Sequence, residues 1–208
     1  MFTDRVDAGR QLARRLEAYR ETDAVVLAIP RGGVVVGDQV ARVLGLQLDL
    51  IIPRKIGAPG NPELAIGAIA RGEPMINRSL VRELGVPESY IAEEAKRQMD
   101  EINRRQKLYL GDRAPIELQN RVVIIVDDGL ATGYTALAAI NAVRQQHPKK
   151  IVLAVPVAPV DTCERLRTEV DEIVCLEVHE LFFAVGQFYE VFEQTTDDEV
   201  IEIMSRYR

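Results

Sequence analysis

The sequence predicts an α/β protein, a mostly parallel twisted sheet with helices on both faces and a small helical hood. Two observations predict it. Five short, mostly apolar runs, at 24–29, 48–52, 122–126, 151–157 and 172–178, have the length and β-branched content of strands buried on both faces. Segments whose apolar residues recur every three or four positions lie between them, and strands alternating with helices require the crossovers of a parallel sheet.

Taken in order, Val6 to Tyr19 sets Ala8, Leu12, Leu16 and Tyr19 on one helical face, which covers a core edge. Ala24 to Ile29 is a strand closed by Pro30, and Arg31-Gly32-Gly33 follows directly. Val34 to Leu44 returns to helical spacing and ends at Gly45, after which Leu48 to Ile52 is a strand stopped by Pro53. The glycines and prolines of Arg54 to Gly72 suit a mobile loop or a loose hairpin, and a connection of this length reads as a flexible lid. Residues 79–110 read as a helical hood or insertion within the domain. Its main helix opens at Pro87 and closes at Gly111, with Ile91, Ala95, Met99, Ile102 and Tyr109 on one stripe. Val122 to Val126 is a strand, 127–135 a polar turn and Ala136 to Gln145 a helix. Beyond the strand at Ile151 to Val157, Asp161 and Glu164 read as the capping box of a short helix. The fifth strand, Glu172 to Val178, leads into the aromatic stretch Phe182 to Phe192. Asp197 or Asp198 then caps a last helix reaching about Met204. With no repeat or linker, residues 1–208 read as a single domain.

Composition narrows the function classes. The 208 residues are 47% hydrophobic and 28% charged, enough apolar content for a core without disulfides or structural metal. A formal charge of −6 gives no overall positive field toward nucleic acid or an anionic membrane, so neither is an expected partner. An anionic ligand must therefore be held by a local site. Cys163 and Cys175 lack CxxC or Cys/His ligand spacing, which points away from zinc and toward a reducing cytosol. The opening residues are too charged for a secretory signal, and no stretch approaches the ~18 apolar residues of a membrane span. The expectation is a cytoplasmic protein.

In such sheets ligands sit beyond the carboxyl ends of the strands, so the loops there are read together. The loop 127–135 places Asp127 and Asp128 at the end of a buried strand and Thr132, Gly133, Tyr134 and Thr135 at a helix start. Unpaired N–H groups, the positive end of the helix dipole and two hydroxyls can converge there on a phosphate. The carboxylates cannot serve that phosphate. They accept hydrogen bonds, which suits sugar hydroxyls or water around Mg²⁺, so the loop describes a phosphorylated sugar. Asp128-Gly129 as a hairpin turn fails on context, because Leu137, Ala138, Ile140 and Ala142 follow at helical rather than alternating spacing.

Val-Ile-Ile-Val-Asp-Asp-Gly-Leu-Ala-Thr-Gly-Tyr-Thr, residues 123–135, resembles the phosphoribosyl pyrophosphate (PRPP) motif of the type I phosphoribosyltransferases. The resemblance implies that Asp127 and Asp128 address the ribose hydroxyls and, through water or PRPP, a Mg²⁺ cofactor. It gives the 5′-phosphate to Ala131, Thr132, Gly133, Tyr134 and Thr135. Gly129 stands where a bulky apolar residue is usual, and Tyr134 where glycine is commonest. Pro30-Arg31-Gly32-Gly33 is similar in position and character to the family's pyrophosphate loop, and glycine backbone beside a two-pronged arginine suits a diphosphate. A dinucleotide fold is disfavoured, since the G-x-G-x-x-G order is absent. Pro53-Arg54-Lys55 resembles the basic start of the family's catalytic loop, so Arg54 and Lys55 are implied to neutralise the departing diphosphate, with 54–72 as the lid. Phe183 and Val185 fall where base-recognition elements often lie, and His179 reads as structural.

The implied activity is transfer of the 5-phosphoribosyl group from Mg-PRPP to a nitrogenous base, in nucleobase salvage or related nucleotide metabolism, with release of pyrophosphate. PRPP and a small heterocycle are the expected partners, and a homodimer is an admissible assembly. Ala131 stands where hypoxanthine-guanine enzymes carry an aspartate, which argues against that mechanism without choosing a base. Two rivals remain, a non-catalytic PRPP sensor or regulator of the same fold and a generic phosphosugar-binding domain. The retained Arg54-Lys55 pair favours the enzyme.

Overall fold

The computed structural model describes residues 1–207. Five strands, β1 (Val25–Ala28), β2 (Gln47–Leu50), β6 (Val122–Val126), β7 (Lys150–Pro159) and β8 (Glu172–His179), form one sheet in the order β2-β1-β6-β7-β8. Every neighbouring pair in it is parallel. Alternation explains why these strands read as continuous apolar runs. Val26, Ala28, Ile124, Val126, Val152 and Ala154 face one core, together with helices α1 (Arg5–Arg15), α2 (Gly32–Leu44), α4 (Glu88–Leu110) and α7 (Asp197–Ser205). Val25, Leu27, Val123, Ile125, Leu153 and Val155 face the other, against α5 (Tyr134–Arg144) and α6 (Val160–Arg167). A third, smaller cluster joins Phe2, Ala8 and Val157 to Phe188 and Tyr189.

Residues 54–72 take the hairpin alternative. β3 (Arg54–Ala58) and β4 (Asn61–Ile69) pair antiparallel around a turn in which Gly60 has φ +74°, and β5 (Met75–Ile76) adds a third strand. Val185–Phe188 and Glu17–Tyr19 are 3-10 turns, so the first helix ends at Arg15 rather than running on to Tyr19. The short helix α3 (Arg78–Glu83) precedes α4, whose expected stripe buries Ile91, Ala95, Ile102 and Tyr109. Two caps differ from expectation. Asp161 accepts from the neighbouring Thr162 amide instead of boxing with Glu164, because α6 starts two residues earlier, with Pro159 at its N-cap. Thr196, not an aspartate, caps α7 in a reciprocal box with Glu199.

One buried carboxylate ties the insertion to the sheet. Asp49 of β2 is fully buried. It accepts from Arg71 Nη2 at 3.3 Å, Arg113 Nη2 at 2.9 Å and the Ile116 amide at 2.9 Å. Arg71 follows the hairpin and Arg113 follows α4, so a single anion receives both return points of the excursion that leaves β2 at Pro53. The same guanidinium groups also donate to the carbonyls of Leu48, Leu50 and Tyr207. Asp49→Ala should cost about 3–5 kcal/mol, because it strands two poorly solvated cations. Arg20→Ala, which breaks an exposed pair with Glu17, should cost about 1 kcal/mol or less. Equilibrium denaturation of the two variants measures the contrast, and equal costs would show that the carbonyls alone hold the arginines.

Candidate functional site

The carboxyl ends of β1 and β6, neighbours in the sheet, deliver two loops to one edge. After β1, Pro30 and Arg31 are joined by a cis peptide and lead straight into α2, which no side chain caps. After β6, residues 127–133 lead into α5, whose N-cap Gly133 takes the left-handed φ of +72° and is also uncapped by a side chain. Both helix starts therefore present bare amides at this edge. The loops abut so closely that only glycine fits between them. A Cβ on Gly32 would lie 1.9 Å from Asp128 Oδ2, and one on Gly33 would lie 2.9 Å from the Asp127 Cα.

The paired acids have different surroundings. Asp127 is partly buried and accepts from the Asp128 amide at 2.9 Å; desolvation, reinforced by the neighbouring Asp128 charge, pushes its carboxyl well above the usual range. Asp128 is held from outside the motif. Its Oδ2 accepts from Arg5 Nε at 2.7 Å, and its carbonyl accepts from the Tyr189 hydroxyl at 2.6 Å. Burial pushes that phenol above its ordinary range. Arg5 also donates from Nη1 to the Glu193 carbonyl at 2.7 Å and lies 3.9 Å over the Phe192 ring. Arg31, on the neighbouring loop, stands 3.6 Å from Asp197. Asp197 is held below the usual carboxylate range by a hydrogen bond from Tyr109 and by the Arg31 charge.

Helix α6 sets the second half of the loop. Thr162 Oγ1 donates to the Ala131 carbonyl at 2.9 Å, Arg165 donates to the Thr132 carbonyl, and the Arg165 guanidinium lies 5.1 Å over the Tyr134 ring. Thr132 and Thr135 are exposed. The unusual Gly129 has a packing reason. A Cβ there would meet Val185 at 2.5 Å and Val157 at 3.0 Å, so the space of a bulky residue is filled by a valine from the segment after β8.

The structure thus gathers Arg31, Gly32, Gly33, Asp127, Asp128, Ala131, Thr132, Gly133, Tyr134 and Thr135 at one edge, with Val185 against it. It does not bring Arg54 and Lys55 to the acids. Arg54 donates to Gln98 of α4 at 2.9 Å, and Lys55 to Glu63 across its own hairpin at 2.8 Å. Phe183 is 89% exposed, while its neighbour Phe182 packs on Phe188. His179 stacks on Phe188 and reaches Glu177 at 3.0 Å, as a structural residue does. Arg5 and Tyr189 went unread because neither carries a motif; a lone arginine opening an amphipathic helix gives no signal in sequence. Among the described residues no three His, Cys, Asp or Glu side chains gather into a metal site. A Mg²⁺ ion fits Asp127 and Asp128 only if a ligand brings further oxygens. No helix among those residues is long and apolar enough to cross a membrane.

Comparison with known proteins agrees with this geometry. The sequence profile of the phosphoribosyl transferase domain matches residues 54–193. The chain belongs to that family. Two curated Mycobacterium tuberculosis proteins, Rv0571c and MT0597, provisionally named phosphoribosyl transferases, are 44% identical to this domain over 207 residues, 99% of it and 47% of each of them. The chain thus spans about half the length of the curated relatives it matches. The crystal structure of TT1426 from Thermus thermophilus superposes with a TM-score of 0.88 at 42% identity, over 99% of this chain and 98% of that one. A purine phosphoribosyltransferase from Pyrococcus horikoshii shares the fold, with a TM-score of 0.50 at 20% identity over 91% of this chain and 93% of its own.

Two outcomes are expected of this phosphoribosyl transferase domain. Its raised Asp127 binds a proton more readily folded than unfolded. Ionisation of Asp127 therefore lowers stability as pH rises from the ordinary carboxylate range through the raised value. Asp127→Asn should stabilise the fold at neutral pH by about 1 kcal/mol and flatten that part of the stability profile, as read by thermal unfolding against pH. Gly129→Ala should cost about 1–3 kcal/mol by overpacking against Val185, and Val185→Ala should relieve it. Additive costs in that double-mutant cycle would dissociate the two positions.

Proposed function

We propose that this domain binds Mg-PRPP and transfers its 5-phosphoribosyl group to a ring nitrogen of a heterocyclic base, releasing pyrophosphate. The single observation that carries the reading is the order of features along the edge. The uncapped start of α2 beside Arg31, the acid pair and the uncapped start of α5 follow one another, with Gly32 in contact with Asp128. That order is diphosphate, ribose and 5′-phosphate, the layout of the donor itself. Family membership and the relatives' names support it.

In this reading the α5 amides and the Thr132 and Thr135 hydroxyls hold the 5′-phosphate, while Asp127 and Asp128 accept from the ribose hydroxyls. Bound Mg²⁺, shared between the acids and the donor's oxygens, would supply charge neutralisation at the diphosphate. The bond from C1′ to the diphosphate oxygen breaks with its electron pair going to the leaving group, the base nitrogen supplies the pair for the new C1′–N bond, and the proton this nitrogen carried passes to solvent or to the released pyrophosphate. Positioning and stabilisation of the leaving charge account for most of such a rate enhancement. Arg54 and Lys55 contribute only if the β3–β4 hairpin turns toward the edge, releasing Gln98 and Glu63. That movement is the lid function proposed for residues 54–72, with 79–110 as the hood and 1–208 as one domain. Val185 borders the acceptor, and Phe183 stacks on it only after a similar movement. Ala131 offers no acid to exchange a proton with a purine ring nitrogen, so hypoxanthine and guanine should be poor acceptors.

A screen of nucleobases for PRPP-dependent pyrophosphate release tests the proposal. Turnover of at least one base is expected, with Thr132→Ala/Thr135→Ala losing about tenfold or more in PRPP affinity while staying folded. PRPP binding without turnover of any base would favour the sensor. Ribose 5-phosphate binding as tightly as PRPP would reduce the domain to a generic phosphosugar binder.

A further inference from the structure

A cavity of about 320 Å³ lies beside the acid pair, lined by Arg5, Arg31, Gly32 and the segment Phe192 to Thr195. Two guanidinium groups and the bare start of α2 border one open space, though the two arginines lie 26 positions apart in sequence. Arg5 is held by three contacts, all within the site. These are the carboxylate of Asp128, the carbonyl of Glu193 and the face of Phe192, and only 12% of its side chain stays exposed. The acids near the cavity are Asp128 on Arg5, Asp197 on Arg31 at 3.6 Å, and the exposed Glu193. Each cation is thus matched by a carboxylate until a ligand arrives, and the Arg31–Asp197 pair is long enough to yield easily.

We infer that Arg5 is a second cation of the diphosphate subsite, brought by the first helix from outside the recognised motifs, and that it exchanges Asp128 for the diphosphate when the donor binds. The inference rests on the proposed PRPP reading and adds a residue and an order of events to it. Ribose hydroxyls reaching Asp128 replace Arg5 as its hydrogen-bond donors. The freed guanidinium then lies across from Arg31 at a cavity of diphosphate size, and its planar fork can take two oxygens at once. A guanidinium already stacked on Phe192 and tied to the Glu193 carbonyl has little freedom left to lose, so it is pre-organised for that exchange. In the unliganded protein the Arg5–Asp128 pair keeps a buried-edge carboxylate from standing uncompensated beside Asp127.

Calorimetric binding of inorganic pyrophosphate without metal, with ribose 5-phosphate as a parallel probe, tests this. Arg5→Gln should weaken pyrophosphate binding about tenfold while ribose 5-phosphate affinity changes no more than about twofold. Asp128→Asn, by loosening the hold on Arg5, should tighten pyrophosphate binding about fivefold, and that gain should vanish in Arg5→Gln/Asp128→Asn. A purely structural arginine would leave any gain from removing the Asp128 charge intact in the double variant. Should Arg5→Gln not fold, Arg5→Lys preserves the charge but not the fork, and should bind pyrophosphate about threefold or more weaker than the unaltered protein. Unaltered pyrophosphate affinity in a folded Arg5 variant, or an Asp128→Asn gain that survives in the double variant, overturns the inference while leaving the PRPP reading intact. Absence of ribose 5-phosphate binding by the unaltered protein overturns both.

Discussion

Much of the arrangement hangs on the charge of Asp49. The sheet is interrupted after β2 by an excursion of some sixty residues that carries the hairpin, α3 and α4. Such an insertion would be free to rock on its stems were it joined to the sheet only by chain continuity. Asp49 prevents this by receiving Arg71 and Arg113, one from each return of the chain. Two cations on one anion would leave an excess buried charge, and the carbonyls of Leu48, Leu50 and Tyr207 take further donors from both guanidinium groups, leaving the buried Arg71 Nη1 and Arg113 Nε without a partner. The excursion and the end of the C-terminal helix are thus tied to β2 by one electrostatic knot, away from the candidate site.

At that edge the logic reverses, because stability yields to chemistry. Asp127 stays where desolvation and Asp128 both oppose its ionisation, with the Asp128 amide and the more distant Arg5 charge in partial compensation. Glycine at positions 32 and 33 gives up side-chain contact so that the two loops can meet. Unfavourable charge and close backbone approach gathered at one edge of an otherwise well-packed α/β sheet are the pattern of a site kept for binding rather than for folding.

How much was legible in sequence depends on the distance over which each feature is encoded. The five parallel strands could be read because a strand buried on both faces is apolar at every position, whatever its partner. The loop 127–135 could be read because its chemistry and its helix start are contiguous. The hairpin at 54–69 was ambiguous because five consecutive residues of β4, Asn61 to Ala65, are exposed, which erases the alternation that announces a strand. The caps at 161 and 196 were misjudged because several neighbouring residues could serve and tertiary packing chose among them. Arg5 and Tyr189 lay beyond reach for a different reason. They meet Asp128 from positions 123 before it and 61 after it, and only the closed sheet makes them neighbours.

The pairing of β1 with β6 has a consequence for how this chain acquires its shape. Val25 stands beside Val123, 98 positions later. A ribosome adding about 5–20 residues per second needs about 5–20 s to supply the second partner. Until then Val25 to Ala28, four residues entirely buried in the finished protein, present one unsatisfied strand edge to the cell. The β1–α2–β2 unit can close early, since α2 packs on β1 and β2 pairs with it on the other side. The sheet's centre must wait until the excursion between β2 and β6 has been made. The strand that organises the sheet is thus completed through a long-range pairing, the kind of contact whose loop-closure cost slows folding.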